Sequence, residues 1–350
     1  MKILYCLADT ESGLNSDTWR CLIPVRAFSR IAGPHQAELL SMTDLANWNA
    51  KAQEKCKWAE VIILQRNFYG PIPDRMARLK MMGKTVIADY DDSFLHLPAH
   101  HISFPFWSEG MADATHRLEQ HPLDTFKSAL ALAHAITVPS PLLAEDWQGA
   151  TPIFVIPNFI ESRVYLPHKH TDHREIRIGW GGSRSHRASL IGSGVLPALT
   201  RVCHRHPEVK VQFCGSHEDI LNLLAVPAAQ KQFIAWQDFY NWPKTLAQFD
   251  VGLAPLHGPF DDRRSGLKGL EYGLCRIPWI GSDRPPYAEF RDFADLVPNH
   301  PDAWEQAILE TITGSNAERV EAGYRFADSM AIEHNLDFIT RTYARIRGGA

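Results

Sequence analysis

Short, almost wholly apolar runs separated by helix-length amphipathic stretches constrain this chain more than any other feature. In the first half they fall at residues 3–7, 61–64, 86–88, 135–138 and 153–156, and in the second at 176–180, 209–214, 233–236, 251–255, 277–281 and 296–297. A strand with one wet face alternates apolar and polar residues. A strand without alternation must be covered on both faces, which is what a parallel sheet between helical layers supplies. The expected fold class is therefore α/β, with doubly wound, Rossmann-like sheets. At 350 residues the chain exceeds what one hydrophobic core usually serves, and the pattern occurs twice, so two domains are expected. They are an N-terminal domain, 1–160, and a C-terminal domain, 161–316. The seam lies between Val155-Ile156-Pro157-Asn158-Phe159-Ile160 and the polar stretch 167–175, and the cleft between the domains is the expected ligand site. Residues 317–350 carry Val320, Tyr324, Ala327, Ala331, Phe338, Ile339, Tyr343 and Ile346 at helical spacing and are expected to form terminal helices packing back toward the first domain.

Charge and cysteine usage narrow the function classes. Lys and Arg number 36 against 40 Asp and Glu, a formal net charge of -4, so no bulk field favours a polyanionic partner. The six cysteines (Cys6, Cys21, Cys56, Cys203, Cys214, Cys275) include no C-x-x-C pair. That pattern suggests neither a zinc knuckle nor a disulfide framework, and it fits a reducing cytoplasm. The apolar start, 1–7, is interrupted by Asp9 and Glu11 and reads as a buried strand rather than a signal peptide. No stretch approaches the roughly 20 apolar residues that a membrane span needs.

The segment richest in chemistry begins at Asp250-Val251-Gly252-Leu253-Ala254-Pro255. A polar loop follows, then Ser265-Gly266-Leu267-Lys268-Gly269-Leu270-Glu271, then Ile277-Pro278-Trp279-Ile280-Gly281-Ser282. A helix starting near Gly266 opens onto the carboxyl edge of the sheet. Its free N–H groups around Ser265, Gly266 and Leu267 form an anion pocket, Gly266 lets a phosphate approach, and Lys268 adds charge. Glu271, three residues on, lies on the same side of the helix and suits ribose hydroxyls. The other reading of Lys268 and Glu271 is an exposed helix pair. A second candidate is Gly181-Gly182-Ser183-Arg184-Ser185-His186-Arg187, a strand-to-helix turn whose backbone N–H groups, hydroxyls and guanidiniums suit a diphosphate, or which is simply a tight turn.

These residues resemble the family-4-like glycosyltransferases of GT-B fold. The match is to the family pattern D-V-x-L-x-P, then G-L-x-x-x-E, then P-V-I-x-S, while Val155-Ile156-Pro157-Asn158 is similar to the family's interdomain V-I-P-N segment. The resemblance implies two Rossmann-like domains facing each other across a cleft, and a retaining, metal-independent transferase with no obligatory cofactor. Its co-substrate would be a nucleoside diphosphate sugar, a UDP-sugar first, and its partner a hydroxyl-bearing acceptor. Glu271 would bind the ribose, and the 181–187 loop the diphosphate. Gly215 and Ser216, with Trp236 after the next strand, lie where relatives hold the base, and Gly13, in the loop after the first strand, faces the donor sugar. Arg263 stands where the family often has a second Glu.

The first domain is expected to bind the acceptor. Asp89, Asp91 and Asp92 crowd the end of a strand, and like charges this close raise at least one pKa, which suits a hydroxyl-orienting or basic group; Asp91 and Asp92, with Lys268 and Glu271 of the second domain, are the catalytic candidates. Competing readings are a D-x-D metal site made by Asp89 and Asp91, or a loop-capping cluster. Arg66, from the neighbouring strand end, and His100 complete the acceptor set. His96, His100 and His101 match no tight metal-ligand spacing. Two alternatives stand beside the transferase reading. The Gly181-Gly182-Ser183 loop with Arg184 and Arg187 also resembles that of phage DNA-base glucosyltransferases, the only reading with a nucleic-acid partner. Arg263 in place of Glu is compatible with a non-catalytic nucleotide-sugar-binding subunit.

Overall fold

A computed structural model describes residues 1–8, 15–165, 174–215 and 218–349. The chain divides into two compact units: Met1–Phe159 with Arg263–Ser265 and Ile332–Ala350, and Ile160–Asp262 with Gly266–Ala331.

The first unit is built on β1 (Lys2–Leu7), β2 (Gln36–Ser41), β3 (Val61–Gln65), β4 (Thr85–Asp89), β5 (Ala135–Val138) and β6 (Ile153–Val155). All pair in parallel, in the order β2-β1-β3-β4-β5-β6. Every residue of β3, β4 and β5 is buried, which is why their sequences do not alternate. No apolar run announces β2, Gln-Ala-Glu-Leu-Leu-Ser, an edge strand of which only Leu40 is fully buried.

The second unit carries β7 (Ile176–Gly182), β8 (Val209–Gly215), β9 (Lys231–Ala235), β10 (Val251–Ala254), β11 (Trp279–Ser282) and β12 (Asp295–Val297). They too are parallel, in the order β12-β11-β10-β7-β8-β9. Chain direction across the sheet reverses between β7 and β10, so the loops leaving these two strands diverge and open a crevice at the carboxyl edge. In the first unit the same reversal falls between β1 and β3. The core of the second unit gathers Trp180, Phe213 and Trp304 beneath the helices Val195–Arg205 and Pro301–Thr313. Its ends are tied: Ile160 N–H donates to the Met330 carbonyl at 3.1 Å, and Ile160 bridges Ala331.

Residues 317–350 do not form one block. Helix Ala317–Ser329 belongs to the second unit and helix Ile332–Gly348 to the first, where Tyr343 and Tyr5 share a buried hydroxyl hydrogen bond of 3.3 Å. Of the polar stretch 167–175, residues 167–173 lie outside the described residues. All six cysteines are free and buried. Among the described residues no helix is long and apolar enough to cross a membrane.

Candidate functional site

The parallel register of the second unit sets Gly182, Gly215 and Ala235 side by side at the carboxyl edge. Ser183 continues extended, and a short turn, Arg184–His186, leads into helix Arg187–Gly192. A pocket forms there, lined by Trp180, Gly182, Ser183, Arg184, Arg187, Gly215, Asp219 and Ile220. Five of the expected donor-binding residues thus share one concavity. Its polar lining is mostly hydrogen-bond donors: the Ser183 hydroxyl, which lies 2.8 Å from that of Ser185 just outside the pocket, exposed Arg184, and Arg187, which pairs with Asp219. Trp180 adds a donor that the sequence reading missed. It is 1% exposed, and its indole N–H has no acceptor among the described residues. A buried unpaired donor costs about 1–3 kcal/mol, so an oxygen-rich ligand or a water at this spot is favoured. A tryptophan inside an apolar strand reads as core, and Trp180 is that as well.

The glycines serve packing more than ligand approach. A Cβ on Gly181 would lie 2.1 Å from the Trp242 ring, one on Gly182 2.5 Å from the Trp180 ring, and one on Gly215 2.8 Å from the Gly182 carbonyl oxygen. None of the three has positive φ. Gly266 corrects the sequence reading: the space expected to admit a phosphate holds the Phe290 ring and the Pro286 carbonyl, each 2.6 Å from where a Cβ would stand.

Helix Leu267–Leu274 begins after Gly266, with no side-chain cap. Lys268, in its first turn, donates to the Gly181 carbonyl, and its ammonium lies 5.9 Å from the centroid of the Trp180 ring. Glu271 sits one turn on and is 6% exposed, which removes the exposed-pair reading. Its Oε1 accepts from the Tyr165 hydroxyl at 2.9 Å and from Trp242 Nε1 at 2.9 Å. Burial pushes the Glu271 carboxyl up, while the Lys268 charge and the two hydrogen bonds pull it down. Tyr165 and Trp242 went unrecognised because they lie 106 and 29 positions away and carry no local motif. Trp236 follows β9 and is 40% exposed. Gly13 and Ser216 lie outside the described residues.

In the first unit, Asp89 is not an open ligand. It is 3% exposed and accepts from Arg20 Nε at 3.0 Å, Arg20 Nη2 at 2.5 Å and Thr137 Oγ1 at 2.6 Å. Arg20 Nη1 continues to the Ile156 carbonyl at 2.6 Å and Asn158 Oδ1 at 3.0 Å, and Asn158 Nδ2 donates to Ser265 Oγ at 3.0 Å. This closed network corrects the acceptor role expected of Asp89 and the D-x-D metal reading. It also groups Ser265 with the first unit, apart from Gly266 and Leu267.

Asp91 and Asp92 differ from Asp89. Asp91 takes a hydrogen bond from Ser16, while its Oδ1 is buried without a partner among the described residues. Burial, and then the Asp92 charge, push the Asp91 carboxyl up to about 7 against the opposing pull of Arg66 and Arg20. Arg66, at φ +41°, places Nη1 3.1 Å from Ser16 Oγ and 3.9 Å from Asp92 Oδ2. His100 is exposed. Arg263 pairs with the fully buried carboxylate of Asp146, which also accepts from Ser93, and Ser140 Oγ donates to the Arg263 carbonyl at 2.7 Å. Among the described residues no group of three or more His, Cys, Asp or Glu side chains is placed to hold a metal ion.

No protein-family model matches the sequence, and no curated protein matches it. Solved structures do match in shape over the whole chain. Anabaena Alr3699/HepE, in complex with UDP and glucose, is 14% identical with a TM-score of 0.65, over 99% of this chain and 100% of that one. Sucrose-phosphate synthase from Thermosynechococcus elongatus is 13% identical with a TM-score of 0.67, over 100% of both chains. The fold is GT-B. A GT-B structure from E. coli, trehalose-6-phosphate bound with UDP-2-fluoro glucose, is 10% identical with a TM-score of 0.62, over 99% of both chains. At such identities the likeness carries the GT-B architecture, and the activity has to be argued from the site.

Proposed function

We propose that the protein is a glycosyltransferase that moves a sugar from a nucleoside diphosphate sugar to an acceptor hydroxyl. The observation that carries this reading is the convergence, at the carboxyl edge of the second unit, of a donor-rich pocket with Lys268 and a buried, doubly hydrogen-bonded Glu271. Phosphate oxygens are the complement of Ser183, Arg184, Arg187 and the Trp180 N–H, and a vicinal diol is the complement of a carboxylate. UDP-sugars are the first choice of donor, in keeping with the uridine nucleotides of the Anabaena and E. coli structures.

In this reading Lys268, Arg184 and the N-terminus of helix Leu267–Leu274 stabilise negative charge developing on the departing diphosphate. They supply the charge that a divalent cation supplies elsewhere, so metal independence belongs to the proposal, as does the retention implied by the family resemblance. The first unit binds the acceptor through Arg66, Asp91, Asp92 and His100. Asp91, with its carboxyl near 7, orients or deprotonates the attacking hydroxyl.

Thermal shift against UDP-, GDP-, ADP- and TDP-sugars tests the reading, since the true donor stabilises by mass action. Lys268→Ala is expected to weaken donor binding by about 2 kcal/mol, roughly thirtyfold, as one charge-assisted hydrogen bond is lost. A flat response to every nucleotide sugar would overturn it.

A further inference from the structure

We infer that Tyr165 and Trp242 are positioning residues that aim Glu271 at the nucleoside ribose and thereby make the site select ribonucleotides over deoxyribonucleotides. The inference rests on the donor reading above and adds the device that gives Glu271 its direction. Both residues donate to the same oxygen, Oε1, at 2.9 Å each. No group among the described residues donates to Oε2. A carboxylate held at one oxygen by two donors from different directions cannot rotate freely, so the second oxygen keeps its lone pairs in one fixed direction for an incoming hydroxyl pair.

The surroundings hold both donors firmly. Tyr165, at the end of the short helix Ser162–Tyr165, is 0% exposed, and Trp242 is 6% exposed. The Trp242 ring fits because residue 181 has no Cβ: Cη2 stands 2.1 Å from where one would be. Phe249 meets the ring edge-on with centroids 6.3 Å apart. The glycine that shapes the end of β7 therefore also seats the indole that holds the ribose carboxylate. With the Lys268 charge, the two donors favour the ionised carboxylate against burial, and loss of a donor moves it toward the protonated form, a poorer acceptor for a diol.

The test measures dissociation constants for UDP, GDP, ADP and CDP and for their 2′,3′-dideoxy counterparts by calorimetry, in wild type, Tyr165→Phe, Trp242→Phe and Glu271→Gln. Wild type is expected to prefer the cognate ribo form by about tenfold or more. Tyr165→Phe keeps the ring and removes only the donor. It is expected to cut that preference by roughly three- to tenfold while affinity for the dideoxy form stays within about twofold. Trp242→Phe should act in the same direction, and Glu271→Gln should abolish the preference. A purely structural role weakens both forms in parallel, so an unchanged ratio in a folded Tyr165→Phe protein overturns the inference alone. Failure of wild type to bind any of the four ribonucleotides removes the donor reading and the inference with it.

Discussion

Asp89 and Asp91 lie two residues apart and have opposite fates. Asp89 is neutralised by Arg20 inside the unit, with both side chains 4% exposed. Asp89→Asn should therefore lower stability by about 3–5 kcal/mol, the cost of leaving a buried guanidinium unpaired, measurable by denaturant unfolding. Among the described residues Asp91 has no such buried ion-pair partner. Its carboxyl titrates near 7 in the folded protein and near 3.9 when unfolded, so between those values the folded state binds the extra proton. Stability from this group is accordingly lost as pH rises through the window, and the full cost stands above pH 7. Asp91→Asn should raise the melting temperature relative to wild type at pH 8 and change it little at pH 4. In transfer assays wild type should gain activity through a limb near pH 7, and Asp91→Asn should lose that limb and about 100-fold in rate. Equal melting shifts at both pH values would sink this account of Asp91. The acidic cluster was legible in the sequence. Which member is closed off was not, because that depends on Arg20, 69 positions away.

Among the elements, β7 joins core and site. Trp180 packs edge-on to Phe213 beneath the sheet edge, while Gly181 and Gly182 leave room for the Trp242 and Trp180 rings. Gly181→Ala should cost about 1–3 kcal/mol of stability through overpacking and should weaken nucleotide binding by tilting Trp242 away from Glu271; loss of stability with unchanged nucleotide affinity would contradict this coupling. The interior strands could be read from sequence because burial on both faces erases alternation. Strand β2 could not, because Gln36, Glu38 and Ser41 leave it no apolar run, and the packing role of Gly181, Gly182 and Gly266 could not, because close packing by a distant ring leaves no local trace.

At the scale of the molecule, the strand pattern that occurs twice in the sequence corresponds to two sheets, and the units depart from the expected bounds at Arg263–Ser265, inside 161–316, and at helix Ala317–Ser329, which stays with the second unit. Arg263–Ser265 and Ile332–Ala350 group with the first unit although the second supplies the chain before each of them. The physical reason is long-range pairing, Arg263 with Asp146 and Tyr343 with Tyr5, which no local periodicity encodes. The second sheet carries a pocket rich in hydrogen-bond donors at the carboxyl ends of β7 and β8 and the first sheet an acidic edge, and in the function proposed above these serve transfer from a nucleotide sugar. Release of nucleoside diphosphate from UDP-, GDP- and ADP-sugars, followed with and without EDTA, tests it most directly. The expected result is release from one donor, undiminished by EDTA and reduced at least about 30-fold in Lys268→Ala. Release from none of them, or equal release by wild type and Lys268→Ala, would contradict it.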